Sequence, residues 1–279
     1  MEFGASIFFT DYSITPAELG VALEERGFDS VWAAEHSHIP VPRRTRADTE
    51  LEKRYYDVMD PFVTLTAAAC ATKKLKVATG IALVIQRDTI QTAKLVATID
   101  QVSGGRFVFG IGGGWNQEEI ENHGTAFATR MQKMREQIEA MKAIWTEAKP
   151  EYHGDLVAFD TMMTWPKPVQ KPHPPVILGG AFPWAARRAV RYGDGWYPNA
   201  ASGNPEEYIP AFRKMAQEAG RDPKSLSLRL GGAPDDADKL KRFRDIGVDA
   251  VNVTLMSETR DQLLPKLDHW AGHIRQLRG

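Results

Sequence analysis

The sequence predicts a (β/α)8 barrel of the TIM type. Short apolar segments with strand character alternate with helical segments eight times within 279 residues. Crossovers between such units are right-handed and give a parallel sheet, and eight parallel strands can close into a barrel. Glycines follow several of the strands, at the end of a barrel where ligand-binding loops lie. An open doubly wound sheet is the alternative arrangement of the same units.

Composition limits the classes of protein to which the chain can belong. Residues 1–279 are expected to form one barrel domain, because 43% hydrophobic content at this length can bury a large core. A formal net charge of −1 gives no electrostatic reason to expect nucleic acid or an anionic membrane as a partner. The chain shows neither a signal-like N-terminus nor an apolar run of about 18 residues, so a cytoplasmic enzyme is expected.

The first half of the chain contains four of the eight predicted units. Its strands are predicted at residues 2–10, 29–34, 75–84 and 107–111, and its helices at 16–26, 61–72, 89–102 and 117–145. Thr15, Pro16 and Glu18 supply an N-cap, a proline at the first helical position and an acidic first turn. The segment at about 40–60 is rich in proline and arginine, and it is predicted to be an inserted loop or lid after the second strand.

The second half contains the other four units and a second insertion. Strands are predicted at residues 176–178, 195–197, 226–230 and 248–253, and helices at 184–192, 205–219, 237–246 and 260–277. The insertion at 151–173, which follows the fourth strand and its helix, interrupts the alternation. Residues 152–159 indicate a small hairpin, and five prolines between 166 and 175 exclude the interior of a helix.

The loop after the fourth strand is a candidate ligand site. Gly112, Gly113 and Gly114 remove three Cβ atoms, so backbone N–H groups there can approach a ligand closely. Asn116 is the predicted N-cap of the next helix, whose positive end favours an anion or a flat cofactor. A dinucleotide-binding fingerprint is excluded, because Trp115 stands where G-x-G-x-x-G needs its third glycine. The alternative is that these glycines only turn a strand into a helix.

A second glycine pair, Gly179 and Gly180, follows the fifth strand. It precedes a helix and is therefore a candidate backbone site for phosphate, with a plain turn as the alternative. The other candidates at strand ends are Glu35 and His36 after the second strand and Gly80 in the third.

The histidines do not predict a metal centre. His36 and His38 would need further ligands from other strand ends, and those ends offer glycines and Asn252. His269 and His273 lie four apart on the last helix and are predicted to be solvated. No metal site is therefore expected, and no G-x-S-x-G motif or strand-end cysteine supplies a nucleophile.

Five segments of the chain form a recognisable set. They are residues 27–32 leading into Glu35 and His36, 78–81 leading to Arg87, 103–107, 110–116 and 193–196. Together they resemble the luciferase-like monooxygenase family, specifically its deazaflavin-dependent oxidoreductase branch. The resemblance covers nearly the whole chain and implies a TIM barrel that uses coenzyme F420, with FMN as the alternative. It also implies hydride transfer to or from a small-molecule substrate, and a homodimer.

The resemblance implies roles for the strand-end residues. The cofactor ring would lie across the strand ends beside Gly80–Ile81, near the 112–116 loop, with its phosphate side held by Gly179–Gly180. Glu35 and His36 would approach the ring, and the imidazole of His36 would act in proton transfer as the catalytic group. Similar proteins have a non-prolyl cis peptide bond at the position that matches Gly80–Ile81, so the same bond is expected here.

One departure from the resemblance bears on the substrate. Sugar-phosphate dehydrogenases of the family carry an acid where this chain has Trp115, so sugar-phosphate oxidation is not expected. Apolar side chains predicted around the barrel mouth favour an apolar substrate, and they are Phe8, Phe9, Trp115, Phe182 and Trp184. Arg43, Arg44 and Arg46 are candidates to meet the anionic tail of a deazaflavin. A cofactor-free barrel isomerase or lyase that binds a phosphorylated substrate is the alternative from a different class.

Overall fold

The computed structural model describes residues 1–41, 44–45 and 50–278, and its eight parallel strands close into a barrel. With the two strands of a separate hairpin, the described chain has ten strands. They are β1 Glu2–Ile7, β2 Ser30–Ala33, β3 Lys76–Thr79, β4 Phe107–Ile111, β5 Tyr152–His153, β6 Ala158–Phe159, β7 Val176–Gly179, β8 Gly195–Tyr197, β9 Ser227–Gly231 and β10 Ala250–Thr254. The barrel order is β1-β10-β9-β8-β7-β4-β3-β2, while β5 and β6 pair separately as an antiparallel hairpin. The predicted (β/α)8 barrel is confirmed, and the open sheet is excluded.

Ten α-helices connect and surround the strands in the described part of the chain. They are α1 Pro16–Glu25, α2 Arg54–Asp57, α3 Pro61–Ala71, α4 Thr89–Ser103, α5 Gln117–Asn122, α6 Arg130–Thr146, α7 Trp184–Tyr192, α8 Pro205–Glu218, α9 Ala237–Asp245 and α10 Arg260–Arg278. None of the helices described is both long and apolar enough to cross a membrane.

Local capping chemistry explains where several helices begin and end. Thr15 and Glu18 form the reciprocal capping box expected before α1, with the Glu18 amide donating to the Thr15 hydroxyl at 3.4 Å. The Asp88 carboxylate accepts from the Gln91 amide at 2.8 Å where α4 begins. Gly104 ends α4 in a left-handed conformation with φ of 66°, which favours glycine.

A buried polar column runs through the barrel interior. The Arg229 guanidinium donates to the Asn252 side chain at 2.8 Å and to the Glu2 carboxylate at 3.0 Å. The Asn252 amide in turn donates to the Tyr197 hydroxyl at 2.8 Å. Because buried polar groups are costly unless they are paired, this chain of hydrogen bonds fixes the position of Tyr197 at the upper end of the barrel.

The third strand is shorter than predicted. It ends at Thr79, and the Gly80–Ile81 peptide that follows is cis, as expected from the resemblance. The Gly80 amide donates to the Ala33 carbonyl at 2.6 Å, and Ala82 forms an isolated bridge with Ile111. The predicted strand over residues 80–84 is therefore wrong, because the chain leaves the regular ladder at Gly80 and enters a 3-10 turn at Val84–Gln86.

The side chain of Ile81 fills space left by glycines of two other barrel strands. A Cβ at Gly112 would lie 1.8 Å from Ile81 Cδ1, and a Cβ at Gly179 would lie 2.9 Å from Ile81 Cγ2. Real Cβ contacts are not this short, so both positions need glycine while Ile81 keeps this rotamer. The barrel thus packs Ile81 between the carboxyl ends of β4 and β7.

The two insertions have the predicted locations but contain more structure than a loop. The first, after β2, includes the short helix α2, and the Met59 amide donates to the Phe9 carbonyl at 2.8 Å. The second contains the predicted hairpin, in which Tyr152 pairs with Phe159. Backbone hydrogen bonds thus attach the first insertion to the barrel and join the two strands of the hairpin in the second.

Gly112→Ala is expected to destabilise the fold by about 1–3 kcal/mol, because the new Cβ overlaps Ile81 Cδ1. The same substitution should cost less in an Ile81→Val background, which lacks that atom. Urea unfolding of the double-mutant cycle measures this coupling. Gly272→Ala in α10 is the matched control, since a Cβ there meets nothing within 4 Å and the change should be neutral or stabilising. An equal cost of Gly112→Ala with and without the Ile81→Val substitution would contradict the packing account.

Candidate functional site

A cavity of about 450 Å³ lies at the carboxyl ends of the barrel strands. Its volume is within the range of small-molecule sites. Four of the predicted site residues line it, and they are Gly80, Ile81, Gly179 and Gly180. Gly231 and Gly232, at the end of β9 and just after it, also line it, so much of its wall is backbone. A wall of this kind admits a flat group close to the main chain.

His36 is held by a carboxylate that the sequence analysis did not select. Its Nδ1 atom lies 2.8 Å from Glu119 Oε2, and the side chains of both residues are buried. Because a carboxylate accepts, Nδ1 carries the proton in this contact and Nε2 is left for other chemistry. No atom in the described part of the chain hydrogen-bonds to Nε2. The arrangement is that of an oriented proton donor or acceptor.

Glu119 also organises the chain around His36. Its other carboxylate oxygen accepts from the Ser37 amide at 3.0 Å. The Ser37 hydroxyl lies 2.7 Å from His123 Nε2 and 2.9 Å from His38 Nδ1. Glu119 therefore fixes both the imidazole and the backbone that carries it, from helix α5 on the neighbouring side of the barrel mouth.

Glu35 is buried, and its hydrogen bonds connect the end of β2 to the segment that follows β3. Its carboxylate accepts from the Leu83 amide at 2.6 Å and from Arg87 Nε at 2.6 Å, and Arg87 also reaches Asp60 at 2.6 Å. Burial raises the pKa of the Glu35 carboxyl, while Arg87 and the Leu83 amide act against that rise. Glu35 does not line the cavity, and its hydrogen bonds indicate a structural role for a residue predicted to contact cofactor.

The glycine loop after β4 lies beside the cavity and does not line it. The Gly112 amide donates to the Ala82 carbonyl at 3.0 Å, so this N–H is already used within the protein. Gly113 leaves room for Met131, and Gly114 has a φ of 64°. Asn116 stands at the N-cap position of α5, but its side chain makes no capping bond. The predicted cap is therefore wrong in its chemistry, although the helix begins where expected.

Two side chains of this loop are still informative. Trp115 packs its ring 5.6 Å from the His36 ring in an edge-on arrangement and 6.4 Å from Tyr55. The Asn116 amide is buried, and neither its nitrogen nor its oxygen has a hydrogen-bond partner among the residues described. Buried amides are normally satisfied, so Asn116 marks a position where water or a ligand group would complete the bonding.

The Gly179–Gly180 pair lines the cavity but offers fewer free donors than predicted. The Gly180 amide donates weakly to the Tyr197 carbonyl at 3.3 Å, and the Gly180 carbonyl accepts from Trp196 Nε1 at 2.9 Å. Gly180 has a φ of 126°, which excludes most other residues. Helix α7 begins just beyond, and Pro183 at its N-cap position provides no side-chain cap. The first amides of α7 remain candidates for an anion, except that of Ala185, which donates to the Ala181 carbonyl at 3.1 Å.

The first insertion supplies one wall of the cavity. Arg54 and Tyr55 of α2 both line it, and the Arg54 guanidinium lies 5.2 Å over the Phe8 ring. Arg44 instead contacts Glu118, whose pKa is lowered to about 2 chiefly by a hydrogen bond from Thr45. The predicted tail-binding residues Arg43 and Arg46 lie outside the described residues.

Only one of the apolar residues predicted at the mouth lines the cavity itself. Phe8 does so, whereas Phe9 is buried in the core. Phe182 stacks on Tyr208 of α8 at 6.3 Å, and Trp184 is 63% exposed on the outer surface. Phe9, Phe182 and Trp184 therefore contribute no surface to the cavity wall, and their place near the mouth stays a prediction.

A larger groove of about 570 Å³ lies outside the barrel between α6 and α7. Four arginines line it, and they are Arg135, Arg187, Arg188 and Arg191. The last three have no carboxylate partner among the residues described. The groove could hold an anion, and Trp184 is the one residue of the predicted mouth that lines it in the described part of the chain.

Comparison with known proteins defines the family. A sequence profile described as luciferase-like monooxygenase matches residues 15–234. The chain belongs to the luciferase-like monooxygenase family. An uncharacterized protein of Mycobacterium tuberculosis is 36% identical over 286 residues, which cover 98% of this chain and 99% of the relative. The resemblance inferred from the sequence segments is thereby confirmed.

Two further relatives show that luciferase-like proteins similar to this one differ in cofactor. The FMNH2-dependent dimethylsulfone monooxygenase of Pseudomonas putida is 36% identical over 148 residues, which cover 52% of this chain and 40% of that enzyme. The F420-dependent hydroxymycolic acid dehydrogenase of Mycobacterium tuberculosis is 28% identical over 225 residues, which cover 80% of this chain and 58% of that enzyme. The relatives are therefore oxidoreductases of two kinds, one that uses FMNH2 and one that uses F420. Membership of the family does not decide which cofactor this chain uses.

Arg87→Gln is expected to destabilise the protein by about 3 kcal/mol at pH 8 and by less at pH 5. Burial raises the folded-state pKa of Glu35, and removing Arg87 strengthens that effect. A carboxyl with a raised folded pKa adds stability below its unfolded value and loses that contribution as pH rises through the folded value.

Urea unfolding of the wild type and Arg87→Gln at both pH values measures the effect. The control repeats the Arg87→Gln substitution in a Glu35→Gln background, in which no carboxyl titrates at position 35. The free energy lost on adding Arg87→Gln to that background should be the same at both pH values. A cost of Arg87→Gln that is equal at pH 5 and pH 8 would show that Glu35 is not its source.

Proposed function

We propose that the protein is an oxidoreductase that transfers a hydride between coenzyme F420 and a small, apolar organic substrate. The observation that carries this proposal is the His36–Glu119 pair, which does not itself line the glycine-rich cavity but packs its imidazole 5.5 Å from the ring of Tyr55, which does. An imidazole with one nitrogen fixed by a carboxylate can take or give a proton at the other nitrogen. Hydride transfer to a carbonyl, or from an alcohol, requires such a proton transfer.

The residues present fit a flat cofactor. Gly80–Ile81 and Gly179–Gly180 line adjoining parts of the wall of a cavity of about 450 Å³, and the three glycines among them leave the backbone open to a planar ring. Gly80–Ile81 would contact the ring, and the start of α7 with Arg54 would face its anionic end. When bound, a deazaflavin supplies or accepts the hydride.

The chain's own groups would control the proton and the water. Glu119 holds His36 in one orientation, so that Nε2 is the atom that exchanges a proton with the substrate oxygen. Tyr55 and Trp115 pack around the imidazole at ring distances of 5.5 and 5.6 Å. These aromatic rings limit access of water to the imidazole, which strengthens its interactions with a bound substrate.

The apolar part of the wall fits an apolar substrate of modest size. Phe8, Ala34, Leu255 and the Tyr55 ring line the cavity, next to polar side chains that include Ser6, Asn199 and Thr254. The cavity has no carboxylate among its described lining residues. A sugar phosphate is not the proposed substrate, because the sugar-phosphate dehydrogenases that the chain resembles carry an acid where this chain has Trp115.

The FMN-dependent monooxygenase is the second candidate. It is favoured by the FMNH2-dependent relative, which matches 52% of the chain, whereas the F420-dependent relative matches 80%. The wider match supports coenzyme F420. The cofactor-free isomerase or lyase has no support from these relatives.

Reduced coenzyme F420 is expected to bind at least about tenfold more tightly than reduced FMN. The reason is the glycine-lined wall together with the wider match to an F420-dependent relative. Anaerobic calorimetric titration of both cofactors measures the ratio. Tight binding of FMN without affinity for coenzyme F420 would overturn the F420 proposal and favour the monooxygenase.

His36→Ala is expected to lower kcat by about 10² to 10⁴ without unfolding the protein, since a positioned proton donor or acceptor is lost. Oxidation or reduction of coenzyme F420 with a panel of small alcohols and ketones provides the assay. Glu119→Gln should give an intermediate loss, because the imidazole remains but is held by a neutral group. His153→Ala on the exposed hairpin is the control and should keep full activity. Full kcat in His36→Ala would leave His36 as part of the wall only.

A further inference from the structure

Three potential metal ligands meet on the outside of the barrel. His269 and His273 of α10 each place Nε2 2.7 Å from Asp235 Oδ1. The ligand atoms of the three side chains all lie within 4.8 Å of one another. The sequence predicted the two histidines to be solvated, but the side chain of His273 is only 15% exposed.

The fold explains why these residues converge. The histidines are four apart on α10, and residues at this spacing lie on the same face of a helix. Asp235 comes from the loop between β9 and α9, which passes over that face. This carboxylate supplies the third ligand that the sequence alone did not reveal.

The geometry suits a divalent ion that accepts imidazole and carboxylate. Zinc binds such ligands at about 2.0–2.2 Å, which spaces the ligand atoms about 3.4 Å apart in a tetrahedral site. Each present contact would therefore open by less than about 1 Å. The side chain of Asp235 is 59% exposed in a loop and can make this adjustment by rotating.

The Asp235 carboxylate has no strong ion-pair partner other than His269 and His273 among the residues described. No lysine or arginine described here competes with a cation for Asp235.

We propose that Asp235, His269 and His273 form a zinc site in which solvent completes the coordination. The side chain of His269 is 55% exposed, so a bound ion would keep one or two positions open to water. Two imidazoles and one carboxylate are a ligand set that zinc uses when an open position remains.

The ion would fasten the β9–α9 loop to α10. That loop begins at Gly232, which lines the cavity, and the Ala233 amide donates to the Asn252 carbonyl at 2.9 Å. Thr254 and Leu255 line both the cavity and the depression beside His269. Zinc therefore stabilises a loop that forms part of the cavity wall.

Calorimetric titration of zinc into full-length protein without a histidine tag tests the proposal. One equivalent should bind, and Tm should rise by about 2 °C at tenfold excess over the Kd. His269→Ala and Asp235→Asn should each weaken this binding at least about tenfold, because each removes a direct ligand or its charge. Thermal unfolding of the metal-free variants confirms that they are folded.

Two control variants separate this site from other histidines. His153→Ala removes an exposed imidazole of the hairpin, and His38→Ala disrupts the His38–His123 pair, whose rings are 5.6 Å apart. Both should leave the affinity of the first zinc equivalent unchanged. The proposal is overturned if zinc does not bind at about 0.1 mM, or if His269→Ala and Asp235→Asn bind it as tightly as the controls do.

Discussion

The packing of Ile81 is the constraint on which the upper end of the barrel depends. This side chain lies across the carboxyl ends of β4 and β7, and it fits because Gly112 and Gly179 have no Cβ. The barrel order places β3, β4 and β7 side by side, so one bulky residue from the first requires small residues on the other two. Of these two glycines, Gly179 also leaves backbone facing the cavity. Packing and ligand access therefore depend on the same residue at Gly179, and a substitution there alters both.

Two buried carboxylates turn this frame into a candidate active site. Glu35 joins the end of β2 to the segment after the cis peptide through the Leu83 amide and Arg87. Glu119 joins the next residues of the chain to α5 through His36 and Ser37. The neighbouring residues Glu35 and His36 thus face different partners. Glu35 is used in hydrogen bonds to Leu83 and Arg87, whereas the Nε2 atom of His36 has no hydrogen-bond partner among the residues described.

The outer parts of the chain modify this central frame. The first insertion contributes Arg54 and Tyr55 to the cavity wall, so the wall is completed by a segment outside the strand-and-helix alternation. On the opposite side, the loop after β9 contributes Gly232 to the wall and Asp235 to the cluster on α10. The family relationship accounts for the barrel, whereas these segments complete the wall of the cavity.

The sequence by itself determined the barrel, the order of its strands and helices, and the glycines at strand ends, because periodicity, caps and glycine act over a few residues. It also supported the cis bond at Gly80–Ile81 through resemblance to a family. Only the tertiary structure decided that Glu119 hydrogen-bonds to His36 and that Gly112 leaves room for the side chain of Ile81. These contacts join residues 83 and 31 positions apart, respectively. A single sequence carries no local signal for such pairs, since an acid in the first turn of a helix looks the same whether it faces solvent or a buried imidazole.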